Sequence, residues 1–319
     1  MLRLLVVAAA AVLLNAPIAS AQYPAKTVRI VVTLTPGSPS DVVARLIAEQ
    51  LSKSLNQPFL IENRPGAGGN IAGEYVMRQP ADGYTLMLAS ISSHGINPAW
   101  YAKMPYDALR DFTPIIALAS SPSSLVVGND VPVNSVSELV AWVKRSSNVN
   151  YASAGNGTSL HVAGELFNSV AGVKVIHVPY KGGPEAVLAV MRGEVAMIFI
   201  PIASVLPLVK SGKLKMLGVT TPKRVSWLPE VPTVAEAGLP GFDVTVWYGF
   251  VAPVGTPPEV ARIINAETQK ALALPAVRES LTRQGFEIMG GSPEEFASYM
   301  KADIEKWSRL VRTANLPKL

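Results

Sequence analysis

Residues 27–55 run from a β-branched strand through a turn of small residues into an amphipathic helix, a succession that commits the chain to layered α/β architecture. Val28, Ile30, Val31 and Val32 have the density of branched side chains expected of a buried strand. Thr35-Pro36-Gly37-Ser38 stops it. Ser38 followed by Pro39 and, three residues on, Asp41 predicts a helix start, with Ser38 as N-cap. Val42, Val43, Leu46, Ile47, Leu51 and Leu55 recur at helical spacing and leave Arg45, Glu49 and Lys53 to solvent. Such a unit aims unpaired backbone N–H groups and the positive end of a helix dipole into whatever crevice lies above the sheet, a geometry that suits an anion. Most strand-to-helix turns bind nothing, so taken alone this one reads as structure.

The pattern returns at residues 150–170. After a strand from Asn150, Ala154-Gly155-Asn156-Gly157-Thr158-Ser159 forms a second small-residue turn, with Thr158 the expected N-cap of a helix whose apolar face is Leu160, Ala163, Leu166, Phe167 and Val170. Between the two units, residues 59–63 and 85–89 read as strands. The loop Arg64 to Asn70 is glycine-rich but lacks both the G-x-G-x-x-G spacing and the Lys-Ser/Thr ending of a phosphate loop, which disfavours nucleotides. Ser90-Ile91-Ser92-Ser93-His94 reads as a polar loop. Ser121-Pro122-Ser123-Ser124 interrupts two apolar strands and marks a crossing between domains, and Ser135-Val136-Ser137-Glu138 is a capping box. Residues 175–179 lead into Tyr180-Lys181-Gly182-Gly183, a third N–H-rich turn that carries a cation. Pro201 and Pro207 are expected to break the apolar stretch that follows residue 195. Residues 244–252, with Trp247 and Tyr248, read as the return crossing, and two further capping boxes, Thr256-Pro257-Pro258-Glu259 and Ser292-Pro293-Glu294-Glu295, open helices that pack on the first domain.

Arg3, the apolar run 4–14 and Ala19-Ser20-Ala21 have the form of a cleaved export signal, which predicts a mature chain from Gln22 in a soluble extracytoplasmic compartment, the periplasm. Gln22 in place of Cys argues against a lipid anchor. The expected organisation is a signal peptide at 1–21, one lobe from 22–122 plus 246–319, and a second from 123–245. With no cysteine, disulfides and thiolate chemistry are excluded. The formal charge of +5 is carried by scattered basic residues, which gives no nucleic-acid surface. The three histidines, His94, His161 and His177, have no metal-ligand spacing and no G-x-S-x-G elbow occurs, so neither a metal, a cofactor nor catalysis is expected. His161, one turn into its helix, reads as a packed histidine.

TPGSPSDVVAR, ENRPGAGGNIAGE, ADGYTL, SSHGINPAWY, YASAGNGTSLHVAGELF, HVPYKGG, VPTVAEAGLPGF and WYGFVAPVGTP together resemble the substrate-binding proteins of tripartite tricarboxylate transporters, the Bug-type receptors. The likeness covers nearly the whole mature chain. It implies a two-lobed periplasmic binding protein of type II-like α/β fold, each lobe a mostly parallel sheet flanked by helices. It also implies a monomer that captures one small organic carboxylate and passes it to transporter membrane subunits. The resemblance places the ligand at the loops after the first strand and after the YASAG strand, the two turns singled out above. The sequence departs from the family at Thr33 and Leu34, where a proline and an aromatic residue are usual, and at Ser38, where a glycine is usual; these changes bear on the pocket wall.

The resulting set of candidate ligand-binding residues is Pro36, Gly37, Ser38, Asp41, Ser92, Ser93, Asn156, Gly157, Thr158, Tyr180, Lys181 and Trp247. Asp41 is expected to cap its helix or orient water, since a carboxylate repels an anion. Tyr180 and Lys181 fit the cleft or its rim, and Trp247 either the hinge or the ligand. Two other readings stand beside transport: a binding protein that reports to a sensor, and a secreted hydrolase on the same scaffold.

Overall fold

A computed structural model describes residues 23–225, 227–313 and Lys318; the expected export signal and its cleavage after Ala21 lie outside the described residues. The strand–turn–helix units form where the sequence puts them. β1 (Val28–Val32) is buried at four of its five positions, and α1 (Pro39–Ser54) opens at Ser38, whose Oγ accepts from the Asp41 N–H. β2 (Phe59–Asn63), α2 (Asn70–Met77) and β3 (Thr85–Ser90) complete the first layer. The stretch after β3 corrects the expected polar loop. Residues Ser92–Ile96 make one π-helical turn that runs directly into the short helix α3 (Asn97–Trp100), and Ser93, His94 and Asn97 are fully buried.

The next two strands, β4 (Phe112–Ser121) and β5 (Ser123–Gly128), belong to different sheets, so the chain changes layer at Pro122. The second layer continues through α4 (Val136–Arg145), β6 (Asn150–Ser153), α5 (Ser159–Ala171), β7 (Ile176–Pro179) and α6 (Gly183–Met191). It closes with β8 (Met197–Pro201), α7 (Ile202–Lys210) and β9 (Leu214–Val219). β10 (Val246–Pro253) returns to the first sheet and is followed by α8 (Pro258–Ala273), α9 (Pro275–Arg283), β11 (Glu287–Gly290) and α10 (Pro293–Thr313). The six-stranded sheet has the order β11-β4-β10-β3-β1-β2 and the five-stranded sheet β7-β6-β8-β5-β9. In the first, β1 is parallel to β2 and β3, while β10 lies antiparallel between β3 and β4. In the second, β6 is parallel to β7 and β8, and β5 is antiparallel to β8 and β9. Helices cover both sheets, which gives the two-lobed α/β fold the sequence implied, but both sheets are mixed and not mostly parallel: antiparallel pairings outnumber parallel ones in the first and equal them in the second.

Two local readings fail for physical reasons. Pro207 lies inside α7 instead of breaking it; in a nine-residue helix anchored by buried Ile202 and Val205 its missing N–H removes a single bond. Thr256 does not cap α8, because Pro257 occupies the N-cap position and the Thr256 hydroxyl turns back to donate to the Pro253 carbonyl at 2.8 Å. Between the helices that follow the two C-terminal capping motifs the chain also forms α9 and β11, whose few residues carry too short a pattern to signal themselves.

The capping box at Ser292 does form. The Glu295 N–H donates to Ser292 Oγ at 3.1 Å, and the Ser292 N–H to Glu295 Oε2 at 2.7 Å. Replacing Ser292 with Ala should therefore cost about 1 kcal/mol of unfolding free energy. A urea midpoint equal to that of the parent would show that α10 owes its start to tertiary packing alone.

Trp247 is a correction as a candidate ligand contact. It is wholly buried in β10, its Nε1 donates to Asp303 Oδ2 of α10 at 2.8 Å, and its ring meets Phe296 and Tyr299 edge to face. A large indole on a strand covered by an amphipathic helix is absorbed by the core. Asp303 also accepts from Trp307 Nε1 at 3.0 Å; its burial raises the carboxyl pKa against the lowering effect of the two indole N–H groups and of Lys306. Beside it Lys306 Nζ donates to Asp243 Oδ2 at 2.6 Å, which ties α10 to the segment that precedes β10.

Candidate functional site

Of the two turns flagged by sequence, the first is bonded within its own lobe and the second meets the other lobe, and most of their donors are already engaged. In the first, the Gly37 N–H donates to Asp41 Oδ2 at 2.9 Å and the Ser38 N–H to the Thr35 carbonyl at 3.2 Å. Pro36 and Gly37 stand exposed at the lip, and Gly37 takes the left-handed φ of 78° that the turn requires. Asp41 is buried. Arg45 grips both its carboxylate oxygens, at 2.8 and 3.0 Å, and Asn63 Nδ2 donates to Oδ1 at 2.9 Å. Burial pushes the Asp41 pKa up, but the bonds from Arg45, Gly37 and Asn63 and the Arg45 charge outweigh it and hold the group below the ordinary carboxylate range. Its charge is thus neutralised inside its own lobe, so it caps the turn without confronting an anion.

The second turn departs further from expectation. Thr158 occupies the N-cap position of α5, yet its Oγ1 donates to the Gly155 carbonyl at 2.7 Å and makes no capping bond. The cap comes from the other lobe, where Ser92 Oγ accepts from the Ser159 N–H at 3.2 Å. The Gly157 N–H donates to His161 Nδ1 at 3.2 Å, which fixes that imidazole as the Nε2–H tautomer. Gly157 and Thr158 are buried and Asn156 is exposed.

The lobes touch through small groups. A Cβ added to Gly157 would lie 2.8 Å from the Tyr101 hydroxyl and 3.2 Å from Asn97 Oδ1; one added to Gly68 would lie 2.9 Å from the Gly157 carbonyl oxygen. Asn97 Nδ2 donates to Asn70 Oδ1 at 2.8 Å and to the Gly68 carbonyl at 3.1 Å, which holds the glycine-rich loop in place. Its Oδ1 is buried without a partner and faces the Gly157 Cα. Trp100 stacks obliquely on His161 with centroids 4.6 Å apart, and His161 lies nearly parallel to His177 at 3.9 Å. His177 in turn shares a 2.6 Å hydrogen bond with Ser153 at the end of β6. Burial, and for His161 the neighbouring His177, lower the two imidazole pKa values to about 3 and about 4 respectively, so both rings are neutral near pH 7.

The remaining candidates divide between wall and rim. Ser93 is buried, with its Oγ accepting from the Ser90 N–H at 3.2 Å, and serves the π turn. Tyr180 is half-buried and its N–H extends the β6–β7 ladder by donating to the Ser153 carbonyl at 2.9 Å. Lys181 is exposed, its N–H donating to Glu185 Oε2 at 3.1 Å. Ser92, Gly157 and Thr158 are thus assembled at the interlobe contact, whereas Ser38 bonds within its own turn and Trp247 lies in the core. Sequence reasoning did not single out Gly68, Asn97, Trp100 or Tyr101, and read His161 only as packed. The facing of one glycine-rich turn by another was the available signal for Gly68; the rest depend on a π turn that has no sequence signature. Among the described residues no cluster of His, Asp or Glu could hold a metal, and no helix is long and apolar enough to cross a membrane.

The tripartite tricarboxylate transporter family receptor model matches residues 43–316 of the chain. Protein BugT of Bordetella pertussis is 33% identical over 93% of this chain and 92% of its own length. Among solved structures, Rpa4515 of R. palustris with adipate superposes with a TM-score of 0.88 at 36% identity, covering 93% of this chain and all of that one. MatC (Rpa3494) from Rhodopseudomonas palustris with bound malate gives a TM-score of 0.85 at 34% identity, covering 91% of this chain and 100% of that chain.

Proposed function

This chain belongs to the tripartite tricarboxylate transporter receptor family, and on that premise we propose that it captures an aliphatic dicarboxylate between its lobes, without turnover, and delivers it to membrane transporter subunits. The observation that carries this reading is the meeting of the Gly155–Thr158 turn of one lobe with Ser92, Asn97 and Gly68 of the other, in a fold shared with proteins solved with malate and with adipate. Both are short aliphatic diacids. The protein acts in the periplasm as a monomer after removal of residues 1–21. The lobes are residues 22–122 with 246–319 and residues 123–245, hinged where β4 leaves and β10 rejoins the first sheet.

Ser38, Ser92, Thr158 and the backbone of Gly157 contact the ligand, with Tyr180 and Lys181 at the rim. Each helix N-terminus adds about 0.3–2 kcal/mol to an anion's binding. A micromolar affinity needs about 8 kcal/mol, so hydroxyl donors and the exclusion of water on closure supply most of it. An entering carboxylate competes with Ser92 for the Ser159 N–H, so binding rearranges that contact.

A thermal-shift series of malate, succinate, glutarate and adipate, with neutral sugars and amines as controls, tests the assignment. A ligand at 100 times its Kd stabilises a native state by about 2.7 kcal/mol, which raises the melting temperature by several degrees in a protein of this size. Shifts by the controls and by no diacid would overturn the assignment.

A further inference from the structure

One group in the cleft has no role in the reading so far: His161, third residue of α5, which touches both halves of the site. Its Nδ1 accepts the Gly157 N–H at 3.2 Å, and its ring lies between Trp100 of the six-stranded lobe and His177 of β7. The main chain of the same residue is also held, since the Tyr151 hydroxyl donates to the His161 carbonyl at 3.2 Å and to Glu165 Oε1 at 2.7 Å. The imidazole cannot easily rotate away.

We propose that His161 is a positioning residue for ligand capture: by taking up the Gly157 N–H it sets the conformation in which the Gly155–Thr158 turn meets the ligand, and through Trp100 it ties that conformation to lobe closure. It rests on the cleft being the dicarboxylate site. Gly157 adopts φ of 75°, a conformation with little intrinsic preference in glycine, so the turn needs an external restraint to hold it. The bond to His161 is the one side-chain restraint on the Gly157 amide among the described residues. Accepting that bond requires a neutral ring, which burial among Trp100, His177 and Tyr151 favours. The proposal explains why a histidine stands where a phenylalanine would pack equally well: only an sp² nitrogen at the δ1 position can both stack and accept.

Two substitutions separate the acceptor from the ring. His161→Phe keeps a ring against Trp100 and removes the acceptor; His161→Asn supplies an acceptor at the same distance from the backbone and removes most of the ring. Binding of malate and adipate by calorimetry and hydrogen exchange of the Gly157 amide are measured on both variants and the parent. The expected result is a slowly exchanging Gly157 amide in the parent, acceleration of at least tenfold in H161F with at least tenfold weaker binding, and partial recovery of both in H161N. Binding by H161F equal to the parent overturns the proposal. Equal losses in both variants that merely follow their melting temperatures also overturn it, since packing alone would then account for the residue. A parent that binds neither diacid yet shows the exchange contrast overturns the ligand assignment and supports the positioning of the turn.

Discussion

Replacing Gly157 with alanine will weaken dicarboxylate binding by about a hundredfold or more while costing only about 1–2 kcal/mol of stability. Two effects act at this residue. Its φ of 75° is left-handed, so any Cβ adds strain to the turn in every state of the protein. The second effect exists only when the lobes are together: the new methyl would stand 2.8 Å from the Tyr101 hydroxyl, 2.9 Å from Tyr101 Cε2 and 3.2 Å from Asn97 Oδ1, all on the opposite lobe. Asn97 opens α3 and Tyr101 caps its C-terminal end, so relief comes from holding the lobes apart. Gly172 supplies the control. It has a similar φ of 60° at the end of α5 with nothing within 4 Å of its Cβ position. G172A should lower the melting temperature about as much as G157A and leave binding intact. Small-angle scattering with saturating malate or adipate should show contraction in the parent and in G172A but not in G157A. Equal affinity in all three would sink the account of Gly157 as a closure contact.

Acidification from pH 6.5 to 5 will remove about 2 kcal/mol of stability through His94 alone. This imidazole is fully buried beside Tyr106 and Phe112, its Nδ1 is 3.0 Å from Ser93 Oγ, and its Nε2 has no partner. Burial with no compensating charge lowers its pKa to about 3 from the ordinary 6.5. Because the folded pKa lies below the unfolded one, the unfolded chain binds the extra proton first. The stabilisation is complete above pH 6.5 and is lost as pH falls through the window down to about 3. His161 and His177, lowered by burial to about 3 and about 4, act in the same direction over the same window. Asp303, whose pKa is raised, opposes them: its contribution is complete below the ordinary carboxylate value and is lost as pH rises through the folded one. Chemical denaturation at several pH values, on the parent and on His94→Phe, isolates the term. The parent should lose stability between pH 6.5 and 5 faster than H94F; parallel curves would mean that His94 accepts its proton without unfolding.

The layered fold was readable because its signals are local and periodic. Val28, Ile30, Val31 and Val32 announce a strand whatever surrounds them, and Ser38-Pro39 with Asp41 announces a helix start, so β1 and α1 fall at the expected residues. The cap of α5 was not readable, because Thr158 has the right chemistry in the right place and loses the role to Ser92, which lies 67 residues before the Ser159 amide it accepts. Trp247 was misjudged for a related reason. An aromatic residue at a crossing is compatible with ligand stacking until the partner on α10, Asp303, is known to claim its indole N–H. His161 read as packed, and it is packed; what the linear pattern could not reveal is that the ring also accepts the Gly157 amide.

The placement of β10 bears on the order in which the two lobes form. Without that strand, the six-stranded sheet separates into a β1-β2-β3 fragment on one side and β4 with β11 on the other, since β10 alone bridges β3 and β4. The bridging strand lies at residues 246–253 of 319, so an emerging chain cannot complete its first lobe until most of it has been synthesised. The five-stranded sheet, built wholly from residues 123–219, is free of that delay. The lobe whose bridging strand arrives late stays an incomplete sheet through most of synthesis, while the other can close first.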